Sequence, residues 1–312
     1  MMNSNLTEHS VSMPITNPVS GRDSRTFEFQ GRVDLVEDKR VVDWKTVSDT
    51  ALFIQQHSIG FQSELYVMAL RYADIEVDLV EYRLIEKPTI RLCGKDANRD
   101  AYENRCVEWL RLTEGALRVH EVWVTPSRTQ KAQAWLWAVS KRLLECRNCS
   151  RWLTNEYACY TFNRTCEFLP LCLLASQGAD VEEMIREKYE QKSRHEEIES
   201  DGLDVITYSS ATTLAICEQR YQYRYERGLQ RRDDETSAAM WTGSALHVGM
   251  EALICAGIDA AMKVLDEWES QNPIIGSDAA KKQDQQIAQA RAMVRVAAEK
   301  WLTVDALTAE KG

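Results

Sequence analysis

The stretch GRVDLVEDKRVVDWKT, residues 31–46, decides how this chain is read. Two β-rich runs, Arg32–Val36 and Val41–Lys45, flank the charged turn Glu37-Asp38-Lys39-Arg40, which is the pattern of an antiparallel hairpin. With Asp38-Lys39 as the loop, Glu37 faces Arg40, Leu35 faces Val42 and Asp34 faces Asp43. Facing side chains on such strands lie roughly 5 Å apart, and like charges placed there are destabilising. Lys45 follows Asp43 by two residues and therefore shares its face. Two opposed carboxylates beside a lysine need something between them.

Around the hairpin, the 312 residues leave room for one large domain or two modest ones, and an apolar fraction of 44% supports a substantial core. No apolar run is long enough to span a bilayer, and Met-Met-Asn-Ser-Asn is not a secretory signal. The expectation is a soluble, cytoplasmic protein with no membrane partner. A net charge of −10 argues against blanket nucleic-acid affinity. It leaves open a local basic groove, for which Arg220, Arg224, Arg227 and Arg231 in RYQYRYERGLQRR are candidates; a solvated helix face is the alternative. Nine cysteines, an odd count without a secretory signal, point to metal ligation rather than a disulfide framework.

Along the chain, residues 1–25 read as an N-terminal loop without periodicity, followed by a block 26–175 that begins with the hairpin. In that block the patterns predict a helix over about 61–72, a strand over 75–85, a helix over about 95–119, a short strand at 121–125 and a Trp- and Leu-rich helix to about Cys146. A cysteine-rich segment covers 146–172, and 176–205 reads as a charged linker ending in Ser-Asp-Gly. Helical patterns then run from about Ser209 within a last block, 206–312, and no internal repeat is visible.

Gln62 and Tyr66 in FQSELYVMAL are four apart and share a helix face. In WTGSALHVGMEAL, His247 follows Gly243 on an otherwise apolar helix, with Glu251 one turn later. Each alone is commonplace: a polar helix boundary, a satisfied core histidine. Together, Gly31-x-x-Asp34, then Asp43-x-Lys45, then Gln62-x-x-x-Tyr66 resemble the core of the PD-(D/E)XK nuclease superfamily, specifically its RecB-like branch. YRLIEKPTIR is similar to phage-type members, and Gly243 with His247 to the family's metal-binding Gly-x-x-x-His helix.

In the family that helix precedes the hairpin, whereas here it follows. Residues 14–172 resemble the second part of such a nuclease and 206–312 the first. One circular permutation, with the old ends joined near 195–205, accounts for this; two half-domains needing a partner chain is the rival account.

The resemblance implies an α/β (α+β) restriction-endonuclease-like fold, a mixed central sheet flanked by helices, with 206–312 completing the same domain. It also implies a metal-dependent DNA exonuclease of phage or bacterial recombination and repair, working with a helicase or a single-strand annealing protein. Asp34, Asp43 and His247 would hold Mg²⁺ or Mn²⁺, ions suited to hard oxygen ligands. Lys45 would position or activate a metal-bound water and balance charge on the phosphate, and Gln62 and Tyr66 would orient DNA and the lysine.

Some members of the branch hold an iron–sulfur cluster with three cysteines near the family C-terminus and one near its N-terminus, and Cys159, Cys166, Cys172 and Cys217 match those places. They would hold a 4Fe-4S cluster, with a Cys₄ zinc site as the main alternative and small buried hydrophobes as the plainest. Cys146 and Cys149 form a CxxC of unassigned role, and Cys93, Cys106 and Cys255 read as core. A non-catalytic DNA-binding module is the rival from another class.

Overall fold

A computed structural model describes residues 6–161, 164–192, 202–232, 238–274 and 278–302. The hairpin lies at the centre of its main sheet. Asp38 and Lys39 both take positive φ, 42° and 64°, the left-handed pair that a two-residue turn requires. Glu37 then pairs with Arg40, Val36 with Val41 and Leu35 with Val42, as expected.

In chain order the first half carries β1 (Leu6–Thr16), β2 (Asp23–Glu37), β3 (Arg40–Val47), α1 (Thr50–His57), α2 (Gln62–Tyr72), β4 (Leu79–Glu86), α3 (Arg99–Leu112), β5 (Leu117–Trp123) and α4 (Pro126–Cys149). Short elements follow: β6 (Tyr160–Thr161), β7 (Arg164–Thr165), α5 (Leu169–Ser176), α6 (Glu182–Lys188), β8 (Tyr189–Gln191), β9 (Asp204–Ile206), α7 (Tyr208–Ile216), α8 (Glu218–Tyr221) and β10 (Leu229–Arg231). Three longer helices close the chain, α9 (Ala238–Ala256), α10 (Ile258–Gln271) and α11 (Ala279–Ala297).

The sheet runs β1-β2-β3-β4-β5, with β9 added parallel to β2. Along the path β1 to β5, β3 and β4 are parallel and the other pairs antiparallel, so the sheet is mixed. Alternation along the strands feeds two cores. On one face Val33, Val41, Val80 and Leu84 pack with Leu65 and Leu70 of α2 and with Leu136 and Leu143 of α4. On the other, Val42, Trp44 and Ile85 pack with Leu246 and Met250 of α9, Ile287 and Met293 of α11, and Val107 of α3. Helices thus cover both faces of a mixed sheet, the α/β class expected. A separate, smaller core forms around Phe168, Tyr189, Tyr223 and Leu229.

Four boundaries differ from the sequence reading. The expected N-terminal loop contains β1, eleven residues whose Val11, Met13 and Ile15 alternate into the core. The strand expected at 75–85 begins only at Leu79. The helix expected to reach 119 stops at Leu112, because Thr113 has extended backbone and Gly115 a positive φ of 78°, and β5 starts at Leu117. The expected linker includes α6, β8 and the start of β9, while its residues 193–201, where the old ends would join, lie outside the described residues. Among the described residues no helix is long and apolar enough to cross a membrane.

Candidate active site

Strand β2 changes faces where it carries Asp34. Val33 belongs to one core and Leu35 to the other, although residues two apart on a regular strand share a face. The alternation slips between them, and beside that point on β1 Glu8 has a positive φ of 46°. Irregularities of this kind re-aim a side chain. Asp34 is turned toward α9, where His247 Nδ1 stands 3.3 Å from its Oδ2. The same oxygen accepts the Trp44 amide at 2.9 Å.

On β3, Lys45 donates to Asp43 Oδ1 at 2.6 Å, which is the shared face expected of residues two apart. Asp43 is only 2% exposed, and its Oδ2 has no donor. Its other neighbour is the Asp34 carboxyl, a contact that is a hydrogen bond only when one of the two holds a proton. The environments therefore split the pair. Burial pushes Asp43 up to about 7; Lys45 opposes burial without overcoming it, and the Asp34 charge adds a smaller push upward. Burial works on Asp34 too, but His247, Lys45 and the Trp44 amide overcome it and hold that carboxyl at about 2. Burial alone would lower Lys45; Asp43 and Asp34 reverse this and keep it a cation. Burial would likewise lower His247, and the Asp34 bond raises it instead.

Helix α2 brings the remaining pair. Gln62 Nε2 donates to Tyr66 Oη at 2.9 Å, as the i, i+4 spacing implies. Burial, reinforced by Asp43, pushes the Tyr66 phenol up to about 12, so it stays protonated. Gly31 explains itself here: a Cβ on it would lie 2.8 Å from Tyr66 Cε1. The register places Tyr82 of β4 beside Asp43, where its hydroxyl bonds Ser63 Oγ at 2.9 Å.

Glu8 was missed by the sequence reading. Its carboxylate, Asp34 and His247 each offer a ligand atom within 4.8 Å of the others. Burial raises its pKa, with Asp34 adding and Arg32, 2.6 Å away, opposing. The signal was the Val11-Met13-Ile15 alternation, which marks β1 and puts Glu8 on it. Glu8, Asp34 and His247 form that group of hard oxygens and one imidazole, and Asp43 stands outside it, beside Asp34, with one oxygen that has no donor. That set fits a divalent cation.

Away from the sheet, Cys159, Cys166, Cys172 and Cys217 line one cavity of about 330 Å³ together with Glu156 and Arg220. Burial raises the Cys172 thiol to about 11, and its next influences are the other three thiols, Cys166 first. Cys146 lies apart, bonded to Glu218 Oε2 at 3.4 Å, and Cys149 bonds its own helix at Glu145 O. Cys106 is buried as expected, whereas Cys93 and Cys255 are exposed rather than core. The basic run is partly neutralised within the protein. Arg220 and Arg224 face Glu167 at 3.7 and 3.4 Å, Arg227 pairs with Glu182 at 2.9 Å, and Arg231 lies on β10.

Compared with known families, residues 4–173 and 205–310 match the model of the PD-(D/E)XK nuclease superfamily. No curated protein matches the chain. The two matched segments meet at the pair His247–Asp34, one residue from each.

Proposed function

The chain belongs to the PD-(D/E)XK nuclease superfamily, and from that premise we propose that it is a Mg²⁺-dependent deoxyribonuclease of the RecB-like branch. The observation that carries this is one cluster, Asp34, Asp43, Lys45 and His247, assembled within a single chain. A bare DNA-binding module has no use for a buried carboxylate packed against a second one, with one oxygen that has no donor.

Asp34, Asp43, His247 and Glu8 would hold the cation, which when bound supplies Lewis acidity at the scissile phosphate. Lys45, a cation throughout the neutral range, places its positive charge where the phosphate accumulates negative charge. In the metal-free protein Asp43 and Asp34 favour its protonated form. Tyr66, protonated and tied to Gln62, offers a hydroxyl beside Lys45 to orient the phosphate. The products are those of phosphodiester hydrolysis, and release of nucleotides from linear DNA, exonuclease action, is the form we propose. A role in phage or bacterial recombination and repair, in the cytoplasm and beside a helicase or annealing protein, follows the same branch.

Circular permutation is supported by the geometry: His247 reaches Asp34, and Cys217 shares a cavity with Cys159, Cys166 and Cys172, without a second chain. A half-domain awaiting a partner would leave both sets apart. For the thiols we propose an iron–sulfur cluster. The four thiols line one cavity, and four thiolates are the ligands such a cluster takes, with a Cys₄ zinc site as the alternative.

The test is Mg²⁺-dependent nucleotide release from linear DNA by the wild type, Asp43→Asn and Lys45→Ala. Equal low release from all three would leave only the binding module. Anaerobically purified protein should be brown; colourless protein with stoichiometric zinc would reject the cluster.

A further inference from the structure

Where α2 begins decides where Gln62 and Tyr66 stand, because both lie in its first two turns. That start lacks ordinary support. Phe61 occupies the N-cap position and makes no side-chain bond to the free amides. Glu64, at the third helical position, would in a capping box turn back to the N-cap amide. Here its carboxylate is fully buried and bound instead by Arg128 Nε.

The same guanidinium donates to two backbone carbonyls of the loop before the helix: Nη1 to Ser58 O and Nη2 to Gly60 O, each at 2.7 Å. One planar fork thus grips three points of the segment 58–64. The fork is itself anchored. Arg128 lies in the first turn of α4 behind Pro126, and its amide donates to the N-cap hydroxyl of Thr125 at 3.4 Å. Tyr208 of α7 meets the same loop. Its hydroxyl bonds the Phe61 backbone and would lie 2.8 Å from a Cβ on Gly60.

We propose that Arg128 is a positioning residue of the active site, holding the α2 start so that Gln62 and Tyr66 meet Lys45 and the bound phosphate; this rests on the nuclease reading of that site. A lysine cannot substitute, because an ammonium is a point charge and cannot hold a carboxylate and two divergent carbonyls at once.

Arg128→Lys is the informative variant. It keeps a positive charge beside the buried Glu64, so the fold survives, and it removes only the fork. The expected result is a melting temperature within a few degrees of wild type, kcat lower by about tenfold or more, and KM changed by less than about twofold. In a Gln62→Ala, Tyr66→Phe background, Arg128→Lys should cost less than about twofold further, because both groups it positions are gone. Amide hydrogen exchange on the metal-free protein gives an arm independent of activity: residues 58–65 should exchange about tenfold faster in Arg128→Lys, and the β3 amides unchanged. Wild-type kcat in Arg128→Lys, a full additive loss in the Gln62→Ala, Tyr66→Phe background, or unchanged exchange at 58–65 would each overturn the proposal. Were the wild type to release no nucleotides, the nuclease reading would fall; the exchange arm would still decide whether Arg128 fixes the helix start.

Discussion

The hairpin site and the cysteine lobe both gather metal-binding groups, but they rest on different foundations. Asp34, Asp43 and Lys45 sit on central strands between two large cores, so their placement is set before any ion arrives. The lobe that holds Cys159, Cys166 and Cys172 is built from two- and three-residue strands and short helices around a small core, against which Cys166 and Cys172 themselves pack. A bound group there would contribute folding energy. At the hairpin the sheet already bears the strain of two opposed carboxylates, and a bound ion would relieve it. On the proposed reading one site would use metal for chemistry and the other for architecture.

The largest expected effect would sharpen this contrast. In the folded, metal-free protein Asp43 keeps its proton up to about 7, whereas unfolded it loses it near 4. Stability therefore falls as pH rises between those values, and the deficit is complete above about 7. Three units correspond to about 4 kcal/mol. Asp43→Asn carries no such deficit, so in chelator it should be up to about 4 kcal/mol more stable than wild type at pH 8 and equal to it near pH 4. Urea denaturation at the two pH values reads this directly, and equal midpoints at pH 8 would remove the idea of a strained hairpin.

Next in size, Lys45→Ala should lose a factor of about 10² to 10³ in rate, or about 3 to 4 kcal/mol, while calorimetry still detects the divalent cation. Loss of ion binding together with rate would mean that Lys45 supports the ligands rather than the phosphate. In the lobe the order of effects should reverse: Cys166→Ala should lower the melting temperature by roughly 5 to 10 °C, and Cys93→Ala by no more than about 2 °C. Equal shifts would break the comparison, since they would make the lobe cysteines ordinary packing groups. Smallest, Gly31→Ala should cost about 1 to 3 kcal/mol through the Tyr66 ring, with kcat falling alongside. A neutral Gly31→Ala would show that the ring can move aside.

Much of the hairpin site was legible because period-two alternation and a two-residue turn set register by themselves. Glu37–Arg40, Leu35–Val42 and the shared face of Asp43 and Lys45 all follow from counting. Counting could not show the slip at Asp34, since an irregular strand depends on what packs against each side. β1 was overlooked because its apolar positions, Val11, Met13 and Ile15, are diluted by Ser, Thr and Pro, and Glu8 went unnoticed with it. The α3 end was overrun because the apolar pattern continues through Thr113-Glu114-Gly115 into β5, and the backbone of those three residues makes the break. Long-range pairs such as Arg128 with Glu64 leave no local trace.

His247 and Asp34 are separated by roughly two hundred residues of chain, and this has a consequence during synthesis. A ribosome adding about 5 to 20 residues per second finishes the hairpin some 10 to 40 seconds before α9 emerges. Until then the sheet face bearing Val42, Trp44 and Ile85 lacks the helices α9 and α11 that bury it. Nascent chains stalled between β5 and α9 should therefore recruit holdase chaperones strongly, and release them once α11 has cleared the exit tunnel.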